Sequence, residues 1–219
     1  MLIEVFSRSI ALFFLIILSP IYFIVMCACF LFQGSPIFYK QKRVGYRFSI
    51  FQIYKFRTMV NNSGKIITDP FDTRITMLGK FLRNTKIDEI PQLYNIIKGD
   101  MRFIGPRPEV PDYVDNKTFF FLKYVKPGMS DFASIVLRDE SKILSKIGGN
   151  EPYIELLPVK IELAAYYANE KSFMLDLQLV IITTISIFFP NFAAKELAIP
   201  LIKLKSQRTN SFLNKFINR

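Results

Sequence analysis

The sequence predicts an α+β protein: an N-terminal apolar membrane segment joined to a small mixed helix/strand domain. Three observations carry this. An uncharged run of 23 residues, Ile10 to Phe32, lies near the amino terminus. A basic, strand-like stretch follows it. Beyond that come several segments with the proline and glycine punctuation of short helices.

About 20 apolar residues span a bilayer core, so Ile10 to Phe32 is long enough. A cleavable signal peptide is the first alternative, but its apolar region is usually roughly 7–15 residues with small residues at the cleavage site. Phe30-Leu31-Phe32 does not fit that pattern. Ser19-Pro20 breaks the run at its middle, because proline removes a backbone donor and bends a helix. Arg8 precedes the run, and Lys40, Lys42, Arg43 and Arg47 follow it. Positive flanks favour the cytoplasmic side. A helix that enters, bends at Ser19-Pro20 and returns keeps both flanks there; a straight kinked span puts Arg8 outside. The residues alone leave both forms open. Cys27 and Cys29 fall in the run and read as reduced core or lipid-facing residues, since further zinc ligands are lacking.

From Gln33 to Thr68 there are seven Lys or Arg and no acid, which suits anionic headgroups or a phosphate ligand. Phe48 to Met59 reads as a strand. The two-residue period puts Phe51, Ile53, Lys55 and Arg57 on one face, so Lys55 and Arg57 form either a phosphate clamp or a basic edge. Asn61-Asn62-Ser63-Gly64 is a loop. Arg74 to Arg83 predicts a helix. So does Pro91 to Lys98, with proline in its first turn and Gly99 past its end. Gly105-Pro106-Arg107-Pro108 and Pro127-Gly128 are turns. Val159 to Glu170 predicts a helix leading to an apolar stretch of 13 residues, Leu177 to Phe189, too short to span comfortably and suited to a buried or interfacial helix. The end, Leu201 to Arg219, carries five basic residues and no acid and reads as an amphipathic surface tail or a frayed one.

Composition narrows the chemistry. The net charge of +11 calls for an acidic partner: nucleic acid, anionic lipid or a phosphorylated substrate. Histidine is absent, which excludes Ser–His and Cys–His nucleophile pairs and histidine-ligated metals. Asp88-Glu89 stands just before Pro91, at a helix start. Acids there commonly cap; the same place suits a carboxylate that must stay ionised to attack phosphorus or bind a metal. Arg83 and Lys86 are close by. The prolines around Arg107 fix the backbone around one guanidinium, which suits bidentate phosphate binding, although a surface turn with a solvated Arg reads the same way.

Taken together and in order, these residues resemble the bacterial sugar transferase family, the small monotopic phosphoglycosyl transferases. The resemblance rests on Lys55-Phe56-Arg57-Thr58-Met59, Leu82-Arg83, Asp88-Glu89-Ile90-Pro91-Gln92-Leu93, Asn95, Lys98-Gly99-Asp100-Met101, Gly105-Pro106-Arg107-Pro108 and Lys126-Pro127-Gly128. It covers the chain from the Ser19-Pro20 break to the short apolar helix. It implies a monotopic membrane protein with a re-entrant helix-break-helix over 1–36, a catalytic domain over 37–200 with interfacial amphipathic helices, and a basic tail over 201–219. The site would face the cytoplasm at the inner membrane of a bacterium. The implied reaction moves a sugar phosphate from a UDP-sugar to undecaprenyl phosphate through a covalent intermediate on Asp88. Glu89 would be the catalytic partner, Asp88 and Glu89 would hold Mg2+, and Lys55, Arg57, Arg83, Arg107, Pro108 and Arg138 would bind substrate. Anionic lipids would be partners, nucleic acid would not, and a homodimer is compatible. Two stretches depart from the family: Arg102-Phe103-Ile104 before the Gly-Pro-Arg-Pro turn, and Met129 to Ser134 after Pro127-Gly128, where the nucleotide-sugar pocket would be shaped. The competing readings are a membrane-tethered nucleic-acid-binding protein, which would bind oligonucleotides in a salt-dependent way without releasing UMP, and a non-catalytic envelope scaffold, which would have no need of Asp88 and Glu89.

Overall fold

A computed structural model describes residues 2–60, 72–149, 151–204 and 206–217. The loop expected at Asn61 to Gly64 lies outside these residues. Two helices open the chain, α1 (Leu2–Ile17) and α2 (Ser19–Gln33), bent by 62° across Leu18. The bend falls where Pro20 enters the first turn of α2 without a backbone N–H to continue the α1 ladder. Among the described residues no single helix is long and apolar enough to cross a membrane, and this bent pair meets the length and hydropathy of a span only jointly.

A hairpin follows, β1 (Phe38–Val44) and β2 (Ile50–Phe56), antiparallel with Phe38 opposite Phe56 and Val44 opposite Ile50. The strand expected over Phe48 to Met59 is shorter, because Arg47 and Phe48 turn the chain with left-handed φ of 52° and 61°. Next come α3 (Met77–Thr85) and α4 (Gln92–Lys98). Helix α3 begins after Arg74 because Thr76 caps it, its hydroxyl accepting from Gly79 N at 2.8 Å. Gly99, at φ 87°, ends α4.

Two very short strands were not expected: β3 (Arg102–Ile104) and β4 (Gly128–Ser130), paired in parallel. Their glycines allow the contact. A Cβ on Gly128 would stand 2.1 Å from Gly105 N, so the backbones meet only because neither residue has a side chain. The remainder is helical: α5 (Phe132–Val136), α6 (Glu140–Ile147), α7 (Pro152–Glu170), α8 (Phe173–Phe188), the turn α9 (Pro190–Phe192), a wide turn over Ala193–Ala198, and α10 (Gln207–Phe216). Helix α7 starts before Val159 and carries Pro158 inside it, and α8 is capped by Ser172.

Phe132, Leu156, Leu163, Tyr167 and Leu179 form the centre of the largest core, which joins β3 to α5–α8. Phe212 and Leu213 of α10 are buried in the same core. The tail, expected amphipathic on the surface or frayed, is therefore packed over Gln207–Phe216, its apolar face turned into the core. The N-terminal pair is also integrated. Ala11 of α1 packs with Phe51, Ile53, Leu93 and Ile96, while Val25 and Cys29 of α2 pack with Phe56 and Leu82. Its other face leaves Phe13, Phe23, Ile24, Leu31 and Phe32 exposed, as α8 and the turn after it leave Phe173, Ile181, Phe188 and Phe189. Such an apolar surface is large for a water-facing one.

Candidate active site

Three segments converge on one carboxylate. Strand β2 brings Lys55, the turn after β3 brings Arg107, and a tight 3-10 turn over Ile87–Glu89, between α3 and α4, brings Asp88 and Glu89. That turn is set by Lys86, which ends α3 in the left-handed region at φ 60°. A non-glycine residue held there marks a locally strained backbone. Glu89 Oε1 receives Lys55 Nζ at 2.9 Å and Arg107 Nη2 at 2.7 Å.

Glu89 is buried. Burial pushes its carboxyl up, but Arg107 and Lys55 outweigh burial and hold it well below the usual carboxylate range. Reciprocally, Glu89 holds the Arg107 guanidinium above its ordinary value. Burial pushes the Lys55 ammonium down, against the pull of Glu89. Asp88 behaves differently. Burial raises its carboxyl, Lys55 opposes the rise and Glu89 adds to it. Its Oδ1 is buried and finds no hydrogen-bond partner among the described residues. Adjacent carboxylates thus have opposite electrostatics: Glu89 is a fixed anion clamped by cations, and Asp88 is poorly solvated, its Oδ1 without a partner among the described residues. A poorly solvated carboxylate beside cations that Glu89 holds in place is suited to attack an electrophile whose own negative charge those cations can face.

Arg107 is positioned at its backbone as well as its tip. Its N–H donates to Asp131 Oδ2 at 3.0 Å and its Nη1 to the Met129 carbonyl at 3.3 Å. Asp131 also caps α5, accepting from Ser134 N at 2.7 Å. On the other side of the turn, the Pro108 carbonyl receives Arg43 Nη1 at 3.0 Å. Buried Glu109 receives Arg43 at 3.1 Å, Lys160 at 3.1 Å and the Tyr153 hydroxyl. This network ties the turn to β1 and α7. Glu109 and Lys160 are 51 residues apart, so no spacing in the sequence signalled the pair.

The other expected site residues are distributed as follows. Arg83 Nε donates to Thr58 Oγ1 at 2.8 Å; burial lowers its guanidinium from the ordinary value, and Asp88 is the strongest influence opposing that. Arg138 spans Ser186 Oγ at 3.3 Å and the Asn84 carbonyl at 3.2 Å, with Glu89 a weaker influence. Arg57 is not in the cluster. Its guanidinium donates to the carbonyls of Ser35 at 3.1 Å, Gly34 at 2.7 Å and Gln33. Helix ends leave carbonyls without partners, and those past α2 capture Arg57. Lys55 and Arg57, read as either a phosphate clamp or a basic edge, are parted in the structure: Lys55 reaches Glu89, while Arg57 holds the end of α2. Ser19 and Pro20 sit at the bend between α1 and α2.

Among the described residues no group of three or more His, Cys, Asp or Glu side chains could enclose a metal.

A family model described as "Bacterial sugar transferase" matches residues 1–190. The chain is 34% identical over 185 residues to the "Uncharacterized sugar transferase EpsL" of Bacillus subtilis, covering 82% of this chain and 84% of that one. It is 35% identical over 169 residues to the UDP-N-acetylgalactosamine-undecaprenyl-phosphate N-acetylgalactosaminephosphotransferase of Aeromonas hydrophila, covering 74% of this chain and 37% of that protein. It is 32% identical over 161 residues to the undecaprenyl-phosphate galactose phosphotransferase of Salmonella typhimurium, covering 64% of this chain and 33% of that protein. The chain thus matches about a third of the length of these last two relatives.

Proposed function

The chain belongs to the bacterial sugar transferase family, and from that premise we propose that it moves a sugar 1-phosphate from a UDP-sugar to undecaprenyl phosphate. The observation that carries the reading is the pairing of Glu89, clamped by Lys55 and Arg107, with Asp88, whose Oδ1 has no partner among the described residues. Asp88 attacks the phosphorus that bears the sugar. An Oδ–P bond forms, the P–O bond to UMP breaks, and its electron pair leaves on UMP. A phosphate oxygen of the lipid then attacks the same phosphorus and displaces Asp88, giving a lipid diphosphate sugar. Splitting the transfer this way predicts ping-pong kinetics.

Roles for the cations follow from their present partners. Lys55 and Arg107 face an anion already, so the donor diphosphate meets a preorganised positive edge. Glu89 keeps both cations in place. Its lowered pKa suits that role better than accepting a proton from the acceptor phosphate. Mg2+ is the proposed cofactor: Asp88, with its unpartnered oxygen and Glu89 beside it, fits a set completed by substrate oxygens. When bound, the ion neutralises diphosphate charge.

A monotopic placement at the cytoplasmic face of the cell membrane is part of the proposal. Its support is where the ends of the bent pair are held. Glu4, in the first turn of α1, pairs with Lys126 at 3.0 Å and Arg102 at 3.2 Å. Gln33, at the end of α2, donates to the Arg57 carbonyl at 3.1 Å. Both ends rest on the same domain, so a pair that dips its exposed apolar face into lipid must come back. Lys40, Lys42 and Arg47 follow the pair, and positive flanks favour the cytoplasmic side.

The test is UMP release from a panel of UDP-sugars with undecaprenyl phosphate and Mg2+. The expected result is release with at least one donor, dependent on the lipid for repeated turnover. No release with any donor by a folded chain would favour a scaffold instead.

A further inference from the structure

Gln92 is 0% exposed, and neither its amide nitrogen nor its amide oxygen has a hydrogen-bond partner among the described residues. A buried amide left unpaired costs free energy that an apolar side chain of the same shape would not. The surroundings show what it adjoins. Ile90 and Pro91 have helical backbone angles, so the chain runs helically from Ile87 into α4. Asp88, Gln92 and Asn95, four and three residues apart, form a buried polar stripe on that run. Asn95 is satisfied, donating to the Gln52 carbonyl at 2.7 Å and accepting from Tyr54 N at 3.2 Å, so this stripe faces β2, the strand that carries Lys55. Two members of the stripe are orphaned, Gln92 and Asp88 Oδ1, and they lie one turn apart.

We propose that Gln92 is a binding residue for the transferred phosphoryl group: its amide N–H donates to a phosphoryl oxygen while that group is bonded to Asp88. This rests on the transferase reading and adds to it the side chain that receives the intermediate. A tetrahedral phosphoryl group on Asp88 brings acceptor oxygens into the stripe, which the resting site lacks. The cost of the unpaired amide in the resting protein is then recovered in the reaction, and the stabilisation falls on the step rather than on initial donor binding.

The substitution Gln92→Met, of similar length and without hydrogen-bonding groups, tests this in the full chain, with Gln92→Leu as a second apolar replacement. The melting temperature is expected to stay level or rise. The turnover number for UMP release is expected to fall on the order of 100–1,000-fold, as when one preorganised donor is removed, while the donor KM changes by less than about threefold. Turnover within about threefold of the parent, or a melting temperature that falls together with turnover, overturns the inference, because the amide is then idle or merely structural. A parent chain that releases no UMP refutes the transferase reading instead, and this inference with it.

Discussion

Replacing Glu89 by Gln removes one negative charge from beneath two cations, and the size of the effect can be worked from the contacts. The Glu89 side chain is 8% exposed, Lys55 20% and Arg107 27%, so water screens little of what is lost. Deleting one partner of a buried ion pair costs roughly 3–5 kcal/mol. Glutamine keeps an acceptor oxygen for one of the cations, which places the expected loss at the low end, about 3 kcal/mol. For a protein of this size each kcal/mol moves the melting temperature by about 2–4 °C, so the fall should be ~6–12 °C at neutral pH. The pH dependence has a definite sign. Glu89 is held below the ordinary carboxylate value of about 4.3, so its contribution is present above that pH and disappears as pH falls through the folded-state value. Parent and Glu89→Gln melting temperatures should therefore converge below about pH 4. A second arm adds UDP-sugar at neutral pH. A ligand at about 100 times its Kd stabilises by about 2.7 kcal/mol, and its diphosphate can face the cations left unpaired. A neutral-pH shift smaller than about 2 °C, or curves that stay parallel into acid, would refute the view of Glu89 as the anion that holds Lys55 and Arg107.

Other expectations follow from the same geometry. Asp88→Asn removes a charge that burial disfavours, so it should melt no lower than the parent while turnover is lost. Since Asp88 must be ionised to attack and its pKa is raised, kcat/KM should fall with decreasing pH on a limb above the ordinary aspartate value of about 3.9. Arg57→Ala strips the donors from the carbonyls of Gln33, Gly34 and Ser35; a loss of about 3 kcal/mol and faster proteolysis between α2 and β1 are expected, measured by melting and by limited digestion. Phe212→Ala should cost about 3 kcal/mol because Phe212 is part of the main core; an unchanged melting temperature would return α10 to the status of a surface tail.

What could be read from the sequence was local chemistry. Pro20 at the bend, Pro91 and Gly99 around α4, and Asp88-Glu89 before it are set by neighbours within a few residues, and the chain shows them in order. Long-range pairing was not readable. Strands β3 and β4 are three residues each, too short for an alternation to emerge, and glycines rather than apolar residues let them meet. The two-residue period put Lys55 and Arg57 on one face, but the β1–β2 ladder ends at Phe56, and the free carbonyls beyond α2 decide where Arg57 goes. Glu109, next after the Gly105–Pro108 turn, drew no notice in the sequence; its meaning depends on Arg43 and Lys160 arriving from distant segments. In the tail, an amphipathic pattern was readable, but not that its apolar face would bury Phe212 and Leu213 in the main core.

The most direct test of the central claim is mass spectrometry of the chain after brief exposure to a UDP-sugar and Mg2+ without lipid acceptor. The account predicts a mass increase of one sugar phosphate, mapping to Asp88, released on adding undecaprenyl phosphate and absent in Asp88→Asn. Rapid product formation with no such adduct, or an adduct that persists in Asp88→Asn, would contradict it.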